Sequence, residues 1–505
     1  MKVITILIFF CAFLLLRPYV LQQTGLRYGG DDESYFAHSS SLVFGQFPSY
    51  EKEYFTIRKN YPLHSIGPGL MAAPFVFIFS LIDRASGSDV VYRRTLENTS
   101  QSWSLFGFVF ASSFYLWLAC FLLYKGLRYY FQSRHASLAV ILMVLSQGIP
   151  LFVFRRPIFS HVYEFFLQSL LVFILLKASR KNSFDSRGYW VLLGIGVAIG
   201  LIFLVRLNNI VAVFVWPLVL LGNKRFDVRK ACFWKRIVFT YTVSALVIIG
   251  FKVIPDFLNP RQGYNWVFGL LTQVYPPSFY VKRIFHILFG IDWGLIYTAP
   301  FILIGLVALF IFRFPLKKRL LVCLAPMAVN FYMIVMWKEQ GAWYGYRYII
   351  ASIIPLLVYP LALLIQRSEK KYGKKISVVW GLIAIVPLLS MFSFEGNSTN
   401  LTLAHSWNTF GAFRWGNNTY QVEIWKMLVF HPQELFIAIF KGGLLYIVYL
   451  GAQIWDIMHM LPAIVSKKYP IFQLDIMVKT FILYAFPFVL YWVVKKGRFL
   501  NERKP

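Results

Sequence analysis

Apolar segments about as long as a membrane-spanning helix recur along the whole chain. A helix that rises 1.5 Å per residue needs roughly 20 mostly apolar residues to cross about 30 Å of hydrocarbon. We therefore predict an all-α, polytopic transmembrane helical bundle of about 12 spans (11–13). The segments that approach this length are residues 3–21, 103–124, 136–154, 158–176, 189–205, 208–221, 237–254, 295–312, 320–337, 347–365, 376–392 and 471–494.

Two further apolar segments carry residues that disfavour a simple span. Residues 66–82 contain Pro68, Gly69 and Pro74, and residues 434–451 contain Lys441 in the middle. Interrupted apolar segments usually line a cavity or lie in the membrane interface. We predict that residues 66–82 are re-entrant or interfacial, among outer-side interfacial helices of the first loop. We place residues 434–451 in the interface, and thirteen spans follow if they cross.

The distribution of Lys and Arg predicts the orientation, because cytoplasmic loops are enriched in both. With a cytoplasmic N-terminus, the inner loops hold 22 basic and 3 acidic residues, against 17 and 12 in the outer loops. The first apolar run is followed by Arg17-Pro18-Tyr19. Because a signal peptide would end in a small-x-small cleavage site, we expect a retained helix.

We divide the chain into three parts. Residues 1–392 form a transmembrane module that includes the first outer loop, 17–102, and carries the candidate chemistry. Residues 393–433 form a second outer loop. Residues 434–505 supply one or more membrane segments and a short cytoplasmic tail.

The composition narrows the class of protein. Hydrophobic residues make up 58% and charged residues 14% of the 505 residues, which argues against a soluble enzyme or a disordered chain. A net charge of +30 would suggest nucleic acid in a soluble protein, but here it mainly marks the cytoplasmic loops, so we expect no nucleic-acid partner. The four cysteines have no metal-ligand spacing, so no metal site is predicted on them.

Three consecutive acids stand out in the first outer loop. Asp31, Asp32 and Glu33 follow shortly after the first membrane helix, in a chain with only 21 acidic residues. They can simply begin a solvated loop. Alternatively, an acid held at the membrane face can meet a substrate that arrives from the lipid.

Basic and polar residues also lie at the outer ends of several predicted helices, against the cytoplasmic bias. Arg suits phosphate because its planar fork offers several donors. Snorkelling to lipid headgroups is the alternative explanation for each single residue. The residues are Arg155, Arg156, His161, Arg206, Asn208 and Arg347, with Lys59 and His64 further back in the first loop.

One base together with several phosphate-binding cations suits transfer of a sugar from a lipid phosphate. The phosphate is already a good leaving group, so the paired carboxylates of glycoside hydrolases are not expected. A single base would take the proton of the acceptor hydroxyl, and cations would stabilise the departing phosphate. Direct displacement would invert the anomeric centre.

The sequence resembles the polytopic GT-C glycosyltransferases, especially the branch with protein O-mannosyltransferases and lipid A aminoarabinose transferases. Their first outer loop carries an Asp-Glu motif followed by an aromatic pair and a small residue, which the run Asp32-Glu33-Ser34-Tyr35-Phe36-Ala37 matches. Residues 61–75, 293–300 and 343–348 are similar to further family patterns. The resemblance covers about residues 1–370.

The resemblance implies roles for individual residues. Asp32 would be the catalytic base and Glu33 its neighbour, although Asp31 also fits a looser form of the motif. Arg347 and one of Arg155 or Arg156 would bind the donor phosphate. The other candidates are Arg206 for the phosphate, and His161, Asn208, Tyr35, Lys59 and His64 for the rest of the substrate.

The same resemblance implies the partners. The donor would be a polyprenyl-phosphate-linked sugar, and the acceptor a glycan, a lipid or a protein. The chain lacks the large luminal insert of the protein mannosyltransferases, which leaves the acceptor open. No cofactor is required, and a divalent metal could take part but is not indicated. We favour a bacterial inner membrane with the site facing the periplasm or exterior, or the endoplasmic reticulum in a eukaryote.

Two other classes stay open. A transporter or flippase would also have many helices and charges within the membrane. An O-antigen polymerase or ligase would keep its chemistry in a large late outer loop, a position that residues 393–433 occupy. Four Asn-x-Ser/Thr motifs, at Asn98, Asn397, Asn400 and Asn417, all lie on the predicted outer side.

Overall fold

The regular structure of this chain is helical throughout its described parts. The computed structural model describes residues 1–15, 31–48, 50, 64–86, 102–154, 157–181, 188–221, 231–259, 276–289, 295–336, 347–398 and 470–497. All regular elements in these ranges are helices, so the prediction of an all-α chain is confirmed for them.

The helices are numbered in chain order. The first nine are α1 Lys2–Leu15, α2 Asp31–Val43, α3 Gly67–Ala85, α4 Trp103–Leu127, α5 Ser133–Val140, α6 Ile149–Phe154, α7 His161–Lys181, α8 Gly188–Val205 and α9 Ile210–Leu221. The others are α10 Ala231–Ile248, α11 Ile254–Leu258, α12 Pro277–Phe289, α13 Leu295–Thr298, α14 Pro300–Ile311, α15 Lys317–Met336, α16 Arg347–Tyr372, α17 Ile376–Ser398 and α18 Pro470–Lys496.

Six helices in the described ranges are long and apolar enough to cross a membrane. They are Gly67–Ala85, Trp103–Leu127, His161–Arg180, Ala231–Leu258, Ile349–Tyr372 and Met477–Lys496. Shorter apolar helices, of 10–17 residues, include Lys2–Leu15 and Tyr189–Val205. These helices support a multi-pass membrane protein, while the count of about twelve spans stays a prediction.

One predicted span, residues 136–154, is broken in the structure. Helix α5 passes through a π-helical turn, Ile141–Leu145, and α6 begins after residues 146–148. Gly148 has a φ of 80°, in the left-handed region that favours glycine, and Pro150 follows. The buried Gln147 fills the break, because its Oε1 accepts from Ile302 N of α14 at 3.1 Å. The interruption therefore serves as the docking point for α14.

Helix α3 is continuous despite Pro74 and covers the segment that we expected to be interrupted. It packs against the first half of α4, with its own C-terminus beside the start of α4. Phe75 lies 5.0 Å from Phe114 between ring centroids, and Phe79 lies 5.1 Å from Phe106. Asp83 then accepts from the backbone N–H of Trp103 at 2.9 Å. By length and apolarity α3 could cross a membrane, and its re-entrant or interfacial placement stays a prediction.

The first and last described helices pack side by side. Phe9 of α1 lies 5.8 Å from Tyr484 and 5.5 Å from Phe488 of α18, between ring centroids. The indole N–H of Trp117 in α4 donates to Thr5 Oγ1 at 3.3 Å. Helix α1 thus contacts both α18 and α4.

Candidate functional site

The start of α3 is the point where two candidate parts of a site meet. A Cβ at Gly69 would lie 2.6 Å from the Cβ of His38 in α2. A Cβ at Gly67 would lie 2.3 Å from the backbone N of Val205, the last residue of α8. Both approaches require glycine. In addition, Ser65 Oγ donates to Val205 O at 2.7 Å. Helix α2 and Val205, the residue before Arg206, therefore both contact the start of α3.

A hydrogen-bonded group fixes the first turns of α2, where the acidic triplet lies. His64 Nδ1 lies 3.0 Å from Ser34 Oγ, and the His64 ring stacks edge-on against Tyr35 at 5.9 Å. His38 is fully buried, with Nε2 2.9 Å from His64 O and Nδ1 2.6 Å from Tyr50 OH. The structure thus brings together Tyr35 and His64, two of the predicted substrate residues.

A second group surrounds Arg206, just after α8. Arg206 Nη1 donates to Glu164 Oε2 at 3.2 Å and lies 3.4 Å from His161 Nδ1. The Glu164 side chain is fully buried and that of Arg206 is 11% exposed. A buried ion pair must compensate a large desolvation cost, and removing one partner leaves the other charge unbalanced. His161 and Arg206, predicted separately, therefore belong to one cluster.

Two amide side chains extend this cluster into the bundle. Asn209 Nδ2 donates to the second carboxylate oxygen of Glu164, Oε1, at 2.9 Å. Asn330 Nδ2, from α15, donates in turn to Asn209 Oδ1 at 3.2 Å. Asn209 and Asn330 are both buried. Both oxygens of the buried carboxylate are thus satisfied, one by a cation and one by an amide.

Tyr115 of α4 contacts both α3 and α7, the helix that carries Glu164. Its hydroxyl donates to Met71 O in α3 at 3.0 Å, and its ring lies 5.5 Å from that of Tyr163 in α7. Nearby, Ser112 Oγ donates to Pro157 O. Pro157, which directly follows Arg156 in the sequence, therefore lies beside the same stretch of α4.

Some predicted residues are not placed by the structure. Lys59, Arg155 and Arg156 lie outside the described residues, as does the late outer loop from residue 399. Backbone is described at the other key positions, since α2 begins at Asp31 and α16 begins at Arg347. The side chains of Asp31, Asp32, Glu33 and Arg347 are outside the description.

Several members of these groups were not predicted from the sequence. Asn208 was predicted, but its neighbour Asn209 makes the contact with Glu164, while Asn208 is half-buried in the same short 3₁₀ turn. Glu164 itself was missed, although an acid inside an apolar run is a signal of a buried functional partner. Among the described side chains, no group of three or more His, Cys, Asp and Glu could hold a metal ion.

Comparison with solved structures shows what the chain is similar to. No protein-family model matches the chain, and no curated protein matches it. The chain is similar to the crystal structure of the apo oligosaccharyltransferase of Archaeoglobus fulgidus, with a TM-score of 0.43 and 15% identity. The match covers 81% of this chain and 59% of that chain, so this chain spans less than two thirds of its length. At this TM-score the likeness carries no argument about activity.

Proposed function

We propose that the protein is an integral-membrane inverting glycosyltransferase. It moves a hexosyl or pentosyl sugar from a polyprenyl-phosphate carrier to an acceptor hydroxyl on the outer face of the membrane. The observation that carries this proposal is that α2 and the end of α8 both contact the start of α3. There Gly69 contacts the helix that begins with the acidic triplet, and Gly67 contacts the residue before Arg206.

The proposed reaction needs one base and a set of cations. The Asp32 carboxylate takes the proton of the acceptor O–H as the oxygen attacks the anomeric carbon. The bond between that carbon and the phosphate oxygen breaks, and its electron pair leaves with the polyprenyl phosphate. Attack opposite the leaving group inverts the anomeric centre. Asp31 is the alternative base, and Glu33 is its neighbour.

The cations of the proposed site stabilise the negative charge on the departing phosphate. Arg206 and Arg347 are assigned this role, together with one of Arg155 or Arg156. Tyr35 and His64 lie beside the first turn of α2, where they contact the sugar or the acceptor, and His161, Asn208 and Lys59 are further substrate candidates. The acceptor is a glycan, a lipid or a protein, and the mechanism uses no cofactor.

The first test replaces the base. Asp32→Asn keeps the size of the side chain but removes the proton acceptor, so transfer should fall by about 10²–10⁴-fold. Transfer is measured in membranes supplied with a panel of radiolabelled polyprenyl-phosphate sugars, and protein level and thermal stability are measured alongside. Asp31→Asn is the matched control and should be milder. Near-normal transfer by Asp32→Asn would reject Asp32 as the base.

The second test addresses the meeting of the two groups. In Gly67→Ala, the new methyl would collide with the backbone of Val205 and push α3 away from the Arg206 segment. Gly194→Ala is the matched control, because Gly194 lies in α8 and its Cβ would meet no atom within 4 Å. Sugar transfer by Gly67→Ala should fall by about tenfold or more, because the residues that position the substrate would be displaced. Sugar transfer by Gly194→Ala should stay normal. Equal transfer in the two variants would remove the main support for the proposal.

One observation favours a second candidate, a transporter or flippase. The buried Glu164–Arg206 pair lies beside a helix interruption at residues 206–209, and such pairs and breaks mark substrate paths in transporters. The two functions differ in their product. In proteoliposomes, a transporter would move the lipid-linked sugar intact across the bilayer. The proposed enzyme would instead release free polyprenyl phosphate.

A further inference from the structure

Glu164 is a buried acid that the proposed reaction does not use directly. We propose that Glu164 is a positioning residue, which holds the Arg206 guanidinium in place for an anionic phosphate group of the lipid substrate. This inference rests on the proposed function and adds to it a residue that the sequence analysis did not select.

The exposure of the two side chains supports this division of roles. The carboxylate is fully buried, while the Arg206 side chain is 11% exposed. The acid is therefore enclosed, and the cation is the member of the pair that keeps some accessible surface. A fully buried carboxylate is a poor candidate for contact with substrate, but it can fix the direction of its partner.

Arg206 needs such a partner because of its place in the chain. It lies between α8 and the 3₁₀ turn Leu207–Asn209, with an extended backbone at φ −154° and ψ 120°. A long side chain at a helix break has many rotamers, and holding it in one costs entropy. A charge-assisted hydrogen bond from Nη1 to Glu164 Oε2 selects one of them before a ligand arrives.

Glu164 is itself held from the other side. Asn209 donates to Oε1, and Asn330 of α15 holds Asn209. Both amides are neutral, so they orient the carboxylate without cancelling its charge. The position of the cation is thus determined by α7, the 3₁₀ turn and α15 together, and a substrate phosphate would meet a preorganised donor.

Binding of a sugar-free lipid measures this role directly. The full-length protein is purified in detergent, and its affinity for undecaprenyl phosphate is compared with that for the uncharged undecaprenol by native mass spectrometry. Glu164→Gln keeps the shape but removes the charge, and we expect about a tenfold rise in Kd for the phosphate with little change for the alcohol. Glu164→Asp, which restores the charge on a shorter side chain, should recover part of the affinity.

Gln168 supplies the matched control. It lies one turn further along α7, is equally buried, and accepts from the Trp216 indole N–H at 3.1 Å. Gln168→Ala should lower the melting temperature yet leave the Kd for undecaprenyl phosphate unchanged. A structural role for Glu164 would instead move its melting temperature and not its Kd.

The outcomes separate this inference from the proposed function. If the wild-type protein binds undecaprenyl phosphate no better than undecaprenol, the proposed function and the positioning role of Glu164 are both rejected. If it prefers the phosphate and Glu164→Gln binds as the wild type does, the positioning role is overturned while the proposed function stands. Should Glu164→Gln fail to purify, Asn209→Ala replaces it. That variant keeps the ion pair and removes the second contact, so an unchanged Kd would overturn the role and a weaker affinity would support it.

Discussion

Two glutamates in this chain have the same kinds of basic neighbours but very different surroundings. Glu164 is bonded to Arg206, with His161 beside the same guanidinium. Glu369, near the end of α16, is bonded to Arg134 at 2.7 Å and lies 2.9 Å from His135 Nε2. Glu164 is fully buried, whereas Glu369 is 17% and Arg134 42% exposed.

The contact distance alone would rank the contributions of these two pairs to stability wrongly. The Glu369 contacts are shorter, but water screens the exposed Arg134, and exposed ion pairs contribute about 0–1 kcal/mol. The Glu164 contact is longer at 3.2 Å, yet its loss would leave a carboxylate enclosed in the bundle. Burial therefore decides which pair the protein depends on. Arg206 follows Val205, which contacts the start of α3 where α2 also packs. The exposed pair joins the start of α5 to the end of α16, at helix ends that we predict to be cytoplasmic.

The largest stability effect should come from Arg206→Ala. Removing the cation leaves Glu164 charged and unbalanced, and breaking a buried pair from one side costs about 3–5 kcal/mol. Thermal unfolding in detergent measures the loss. Part of it should return in Arg206→Ala combined with Glu164→Leu, because the double variant leaves no charge behind. A single variant as stable as the wild type would mean that Glu164 is not buried as a charged group.

Arg134→Ala tests the exposed pair and should have a much smaller effect. The expected loss is at most about 1 kcal/mol, measured in the same unfolding experiment. Sugar transfer should stay at the wild-type level, since this pair lies far along α16 from its beginning at Arg347. A loss comparable to that of Arg206→Ala would break the comparison.

Ionic strength should affect the stability of the two pairs differently, and this is the smallest effect that we predict. Raising the ionic strength from about 0.1 to 1 M shortens the screening length from about 10 to 3 Å, which weakens exposed pairs more than buried ones. The stability difference between wild type and Arg134→Ala should shrink, and that between wild type and Arg206→Ala should persist. Equal salt dependence would show that water reaches both pairs.

Parts of the site followed from local sequence signals. Arg206 and His161 stood out because charged and polar residues at outer helix ends oppose the cytoplasmic bias of Lys and Arg. Tyr35 and His64 were selected from the first loop, and the structure places them in contact. Glu164 had a local signal, as an acid inside an apolar run, but its pairing with Arg206 could not be predicted. The two residues lie 42 positions apart, a separation over which periodicity carries no information about pairing.

The sequence by itself determined the class of structure. Apolar runs of membrane length predict helices, because each backbone group must find its hydrogen bond within the segment. The tertiary structure alone decided where helices break and which charges meet. Gln147 bridges a break only because α14 docks there, and Gly67 and Gly69 let α3 lie between α2 and Val205. Such contacts depend on close packing between residues far apart in the chain, and that packing is a property of the folded bundle.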